Sequence, residues 1–215
     1  MTEIPERAAA EAFDAIGAAY ERAFAGSAAH RASLTRLLEH LAPHSRVLDV
    51  GSGTGRPTAR TLVDAGHEVL GVDVSPVMVE LASRQVPEAS FRCADIRGLP
   101  LDADSYDAVC VYFSLLQMSR AEQTALVHRL AGALRPGGHL VLATVPLDVE
   151  GVRAVFMGQE VRVTSFGPDA FAALAAGAGL SLLSREDVVF TPDGPGAAPE
   201  PHVFLHCRRN PGAGV

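Results

Sequence analysis

The sequence predicts an α/β fold: a doubly wound, mostly parallel sheet with helices on both faces. Three observations carry this. From Arg46 to Val145, short apolar runs alternate with helical stretches, the rhythm of parallel βαβ units. The first run, Val47-Leu48-Asp49-Val50, closes in Gly51-Ser52-Gly53-Thr54-Gly55. That pattern reads as a strand buried on both faces, handing over to a helix through backbone that a ligand can approach closely. After Val145 the rhythm breaks, and two strands follow one another with no helix between them. Consecutive strands of this kind form an antiparallel hairpin at the sheet edge.

In order, Ala8 to Tyr20 reads as a helix with Phe13, Ile16 and Tyr20 at helical spacing. A second, His30 to Leu41, carries Leu34, Leu37, Leu38 and Leu41 and is closed by Pro43. Ala25-Gly26-Ser27 between them suits a mobile joint. The strands are Arg46 to Val50, Glu68 to Asp73, Ala89 to Cys93, Tyr106 to Phe113 and His139 to Val145. The helix after the first strand runs from Arg56 to Gly66, with Thr54 as a candidate N-cap. Ser75-Pro76 opens the next helix as N-cap and first helical residue. Ser119 and Glu122 form a capping box for a helix to Leu134, and Arg135-Pro136-Gly137-Gly138 turns the chain. Leu147 to Ser165 reads as irregular, with one short strand at Val161 to Thr164. Pro168 opens a helix to Gly177; Leu180 to Phe190 and His202 to Cys207 are the last strands, joined by a Pro/Gly/Ala loop from Thr191 to Pro201. The expected organisation is one domain: a helical lid over residues 1–45, a binding core over 46–146, and an acceptor-side segment with the terminal hairpin over 147–215.

Composition narrows the function. A chain of 215 residues, 48% hydrophobic, can bury a full core. The net charge of −7, with no basic block, argues against nucleic acid or an anionic membrane as partner. Cys93, Cys110 and Cys207 are scattered and odd in number, so free buried thiols are expected rather than a disulfide framework. No apolar run approaches spanning length, and the amino terminus lacks the pattern of a signal peptide. A cytoplasmic location is the expectation.

In an open parallel sheet, ligands bind beyond the carboxyl ends of the strands. Those ends offer Gly51, Ser52, Gly53 and Gly55; Asp73, Val74 and Ser75; Asp95 and Ile96; Phe113 to Met118; and Val145 to Asp148. His67 and His139 begin strands and fall at the opposite rim. Asp73, about twenty residues past the glycine turn, can accept both hydroxyls of a ribose. Asp95 can accept from an exocyclic amine while the Ile96 N–H donates to a ring nitrogen, with Met78 and Ile96 packing on the base. Glycine spacing separates two cofactor classes. A dinucleotide fingerprint puts its third glycine where this chain has Arg56; here it stands at Gly55. No His/Cys/Asp cluster has metal-ligand spacing.

These motifs together resemble the class I S-adenosylmethionine-dependent methyltransferases, of the small-molecule type. The carriers are VLDVGSGTG (Val47 to Gly55), GVDVSPVMVELA (Gly71 to Ala82), ADIRGLPL (Ala94 to Leu101), YDAVCVYFSLLQM (Tyr106 to Met118) and LRPGGHLVLATV (Leu134 to Val145). The resemblance implies a Rossmann-like seven-stranded sheet with strand seven antiparallel, and S-adenosylmethionine as cofactor with S-adenosylhomocysteine as product. It assigns Asp49 to the methionine ammonium, Gly51 and Gly53 to the methionine part, Asp73 to the ribose, Asp95 and Ile96 to adenine, and the Phe113 backbone to the methionine moiety. Phe13 to Tyr20 resembles the family's lid helix, which puts Tyr20 near the sulfonium. Where many relatives carry a His pair after the fourth strand, this chain has Leu116-Gln117. Tyr20, His30 and Gln117 are the candidate catalytic side chains. Leu147 to Thr164, with Phe156 and Met157, is the expected wall of an acceptor pocket for a small, partly apolar molecule. Two other readings stand beside methyl transfer: a protein of the same fold that binds the adenosyl cofactor for a cyclisation or rearrangement, and a dinucleotide oxidoreductase.

Overall fold

The computed structural model describes residues 6–194 and 196–211. Met1 to Pro5, part of the stretch read for a signal peptide, and Pro195 of the long loop lie outside the described residues. The elements are α1 (Glu6–Ile16), α2 (Ala19–Phe24), α3 (Ala28–Leu38), β1 (Arg46–Val50), α4 (Thr58–Asp64), β2 (Glu68–Asp73), α5 (Pro76–Gln85), β3 (Ser90–Cys93), β4 (Tyr106–Tyr112) and α6 (Arg120–Ala133). They continue with β5 (Leu134–Thr144), β6 (Val149–Phe156), β7 (Gln159–Ser165), α7 (Pro168–Gly177), β8 (Leu180–Phe190) and β9 (Glu200–Arg209).

Seven strands form one sheet in the order β3-β2-β1-β4-β5-β9-β8. The pairs among β1 to β5 are parallel, and β9 is antiparallel to both its neighbours. The expected α/β sheet with an antiparallel terminal strand is what forms. Successive residues of a strand face opposite sides, and the core divides accordingly. Leu48, Val109 and Leu142 pack with Leu126 and Leu130 of α6 and Phe171 of α7. Val47, Ala108 and Val141 pack with Leu34 and Leu37 of α3 and Leu62 of α4. Among the described residues no helix is long and apolar enough to cross a membrane.

Several expectations are corrected. The first helix is two, because Gly17 takes φ +49° between α1 and α2 and a left-handed residue cannot continue a right-handed helix. The second expected helix starts earlier, at Ala28, because the Ser27 side chain accepts from the His30 N–H and caps it there. Thr54 caps nothing: α4 begins at Thr58 after Pro57, with no side-chain cap, and the Thr54 hydroxyl is buried without a partner. Residues 147–165 are not irregular. They hold the β6–β7 hairpin, closed by Met157 and Gly158 with φ of +48° and +82°. Two successive positive φ values make the turn that matches strand twist, but Met at the first position hides it from a turn search. Cys110 and Cys207 are buried free thiols, whereas Cys93 is free and exposed.

At the rim opposite the strand ends, the His139 and His206 rings share a hydrogen bond between Nδ1 and Nε2 at 3.0 Å. The His40 ring lies 5.0 Å from each. Burial, then the neighbouring cationic groups, pulls both buried rings down to about 4 from the ordinary 6.5. Between those values the unfolded chain binds more protons than the folded one, so stability rises with pH across that window. The stability contributed by these two rings should be complete above 6.5 and progressively lost down to about 4, and denaturant titrations at stepped pH read it as the difference in slope between the wild type and a variant lacking one ring. His206→Gln should flatten the slope.

Candidate functional site

The three glycines after β1 serve three different purposes. Gly51 has φ +69°, and a Cβ there would meet Ser114 Cβ at 2.2 Å, so the β4 exit packs directly on its backbone. Gly53 has φ +51° with nothing within 4 Å of a would-be Cβ; the space above it is open. Gly55, φ +79°, would drive a Cβ to 3.1 Å from Phe91 and Val86. Gly55 is therefore pressed against β3 and α5, and it lines neither cavity of the site.

Asp73, at the end of β2, ties this loop in place. Its Oδ2 accepts from the Gly53 N–H at 2.9 Å and its Oδ1 from the Ser75 N–H at 2.9 Å. Burial raises its pKa while those backbone N–H groups oppose the rise. Beneath the loop, Asp49 is 2% exposed and its Oδ2 has no hydrogen-bond partner. Burial, then the Asp73 charge, pushes this carboxyl up to about 8. The hydroxyls of Ser52, Thr54 and Ser114 are likewise buried and unpartnered. Buried polar groups are nearly always paired, so these four oxygens mark the loop and its surroundings as unusually polar for a buried place.

The loop opens on a cleft of about 250 Å³. Asp73, Val74, Met78, Asp95, Ile96 and Phe113 all line it, as expected from the strand ends. The Asp95 carboxylate accepts from the Arg97 guanidinium at 2.6 Å, and Arg97 also reaches Glu122 at 2.5 Å. Phe113 takes φ +58°, a conformation an aromatic residue rarely adopts. Asp14 of α1 latches the helical pair down: its carboxylate accepts from Ser75 Oγ at 2.5 Å and from the Val77 N–H at 3.3 Å. The pair supplies Phe13, Tyr20 and Phe24, which meet Phe156 of β6 with ring centroids 6.1 to 6.4 Å apart. The hairpin adds Val155, Val161 and Val163, and Leu147 precedes it. Met157, expected beside Phe156, sits at the turn, 38% exposed, outside the lining.

The three candidate catalytic residues part company. Gln117 and Tyr20 line the cleft. Burial, with Glu200 and Asp73 nearby, pushes the Tyr20 phenol up, so it stays protonated. His30 instead faces a second cavity of about 340 Å³ behind the loop, shared with Asp49 and Ser52. Its Nε2 pairs with Thr58 Oγ1 at 3.1 Å, its ring lies 3.9 Å from Tyr112, and burial pulls it down to about 3. It is absent from the lining of the cleft. Two residues that the sequence reading missed, Glu200 and His202 of β9, also reach these cavities. The usable signal was direction: an antiparallel strand brings its amino end to the rim where the parallel strands finish.

Residues 47–138 match the family described as a methyltransferase domain. That stretch is similar to a methyltransferase domain. The chain is 33% identical over 178 residues to the methyltransferase GfsG of Streptomyces halstedii, covering 74% of this chain and 62% of that one. It spans less than two thirds of several curated relatives, 28% of a bifunctional biotin-biosynthesis protein of Cellvibrio japonicus among them. Its fold superposes on that of DhpI, solved as a complex with SAH, with a TM-score of 0.74 at 22% identity, over 98% of this chain and 100% of that one. It matches the [4+2]-cyclase SpnF with a TM-score of 0.72 at 19% identity, over 95% and 96%.

The glycine geometry separates folding from binding. Gly53→Ala should cost only about 1–2 kcal/mol of stability, the strain of one left-handed alanine, while weakening adenosyl-ligand binding. Gly51→Ala should lower the melting temperature markedly, because Ser114 must move. Differential scanning fluorimetry and calorimetry on both variants check the contrast.

Proposed function

We propose that the chain transfers a methyl group from S-adenosylmethionine to a small, partly apolar molecule. The observation that carries this is the open space above Gly53, beside the Asp73 carboxylate and beneath an aromatic roof. The residues fit the cofactor. Asp73 would hold the ribose hydroxyls, Asp95 and Ile96 the adenine, with Met78 and Ile96 against the base. The Asp49 carboxyl and the Phe113 backbone would face the methionine end, where an ammonium would donate to that carboxyl. The bound cofactor supplies a methyl group already activated by a positively charged sulfur.

The chain's own task is then orientation and exclusion of water. Phe13, Tyr20, Phe24 and Phe156 close the cleft with apolar faces, and aromatic faces favour a cationic centre. Leu147, Val155, Val161 and Val163 give the acceptor half its apolar lining, which supports a small acceptor with little charge. The free buried thiols Cys110 and Cys207 support a reducing, cytoplasmic setting.

Calorimetry with S-adenosylmethionine, S-adenosylhomocysteine and the nicotinamide dinucleotides tests the binding part. Adenosyl ligands should bind and dinucleotides should not. Asp73→Ala should weaken adenosyl binding by about ten- to a hundred-fold, the size of lost charge-assisted hydrogen bonds. An acceptor screen with labelled methyl then tests transfer. Cofactor binding with a rearranged, unmethylated product would favour the cyclisation reading.

A further inference from the structure

We infer that Glu200, positioned by His202, is the proton acceptor for a hydroxyl-bearing acceptor in the apolar cleft; this rests on the methyl-transfer reading above. The register of β9 places the pair. Thr144, the last residue of β5, pairs with Val203, so residues 200 and 202 extend past the end of β5 at the ligand rim. Glu200 lines the cleft with Tyr20, Phe113 and Leu147. His202 Nε2 lies 2.8 Å from Glu200 Oε1. A carboxylate only accepts, so Nε2 carries the hydrogen and donates it. The His202 side chain is 1% exposed, with its ring 4.5 Å from Phe113 and 5.5 Å from Phe190. Those rings fix the imidazole, and the imidazole fixes the carboxylate.

The other polar groups of the cleft are poorly suited to this task. Gln117 is an amide without useful basicity, and the Tyr20 phenol is held protonated. His30 faces the second cavity. Asp73 is bound by two backbone N–H groups, and Asp95 by Arg97. Glu200 is the remaining carboxylate of the cleft, its side chain 27% exposed, so a proton it gains can leave to solvent. In the step inferred, Glu200 takes the hydroxyl proton while the acceptor oxygen bonds to the methyl carbon. The carbon–sulfur bond breaks, its electron pair stays on sulfur, and the products are a methyl ether, the thioether and one proton.

Calorimetry with S-adenosylhomocysteine present tests this, using 1-naphthol and 1-methoxynaphthalene as probes. The wild-type protein should bind 1-naphthol about ten-fold tighter than the ether, because only the phenol donates a hydrogen bond to a charged carboxylate. Glu200→Gln keeps an acceptor for the His202 N–H but loses the charge, and should bring the two probes close to parity. His202→Phe keeps the ring packing and should shrink the preference too, with affinity for the ether unchanged; a merely structural role would weaken both probes together. Equal affinities in the wild type, a preference that survives Glu200→Gln, or binding of neither probe while S-adenosylhomocysteine binds would each overturn the assignment. Failure of S-adenosylhomocysteine itself to bind would instead overturn the function proposed above.

Discussion

The Asp73 carboxylate between the Gly53 and Ser75 N–H groups is the contact on which the site depends. It joins the end of one strand to the loop after its neighbour, and to the start of α5. That loop has no side chain to anchor it at residues 51, 53 and 55, so an acceptor from outside must set its shape. Asp73 does this from a buried position, where a hydrogen bond to a charged group is worth more than in water. Asp14 extends the same network into the helical pair through the Ser75 hydroxyl. The helical pair, the loop and the acid of β2 are thus one connected polar structure rather than three features that happen to be close.

Around this polar seam the molecule is apolar. Two core layers fix the sheet, and the aromatic roof continues that apolar character over the cleft. The contrast matters chemically. A cationic centre held against aromatic faces and away from water keeps its reactivity for a partner bound in the same dry space. Polar groups inside that space are few, so each one bears on which acceptor fits. This is why a carboxylate on the last strand, held by an imidazole behind it, is significant there, and would pass unnoticed on an open surface.

The parallel core was legible because its signals are local. Apolar runs closed by Gly or Asp, Ser75-Pro76, and the Ser119–Glu122 capping box each specify their own stretch of chain. The residues at the ends of β1, β2 and β4 that line the cleft followed from one topological rule. The β6–β7 hairpin was missed because its pattern is diluted by Gly151 and Arg153 and its turn opens on a methionine. His30 looked like a candidate base from its place in the lid, yet its helix turns it toward Thr58 and Tyr112 behind the loop.

By itself, the sequence determined the strand and helix order, the side-chain-free loop and the acid that follows it, since each is written in neighbouring residues. Only the tertiary structure decided which glycine faces open space and which is pressed against Phe91, because that depends on what packs there from elsewhere in the chain. Only it brought Glu200 to the cleft, with His202 beside it at the second cavity. Their position follows from the direction in which β9 enters the sheet, a relation between elements about sixty residues apart that no local pattern encodes.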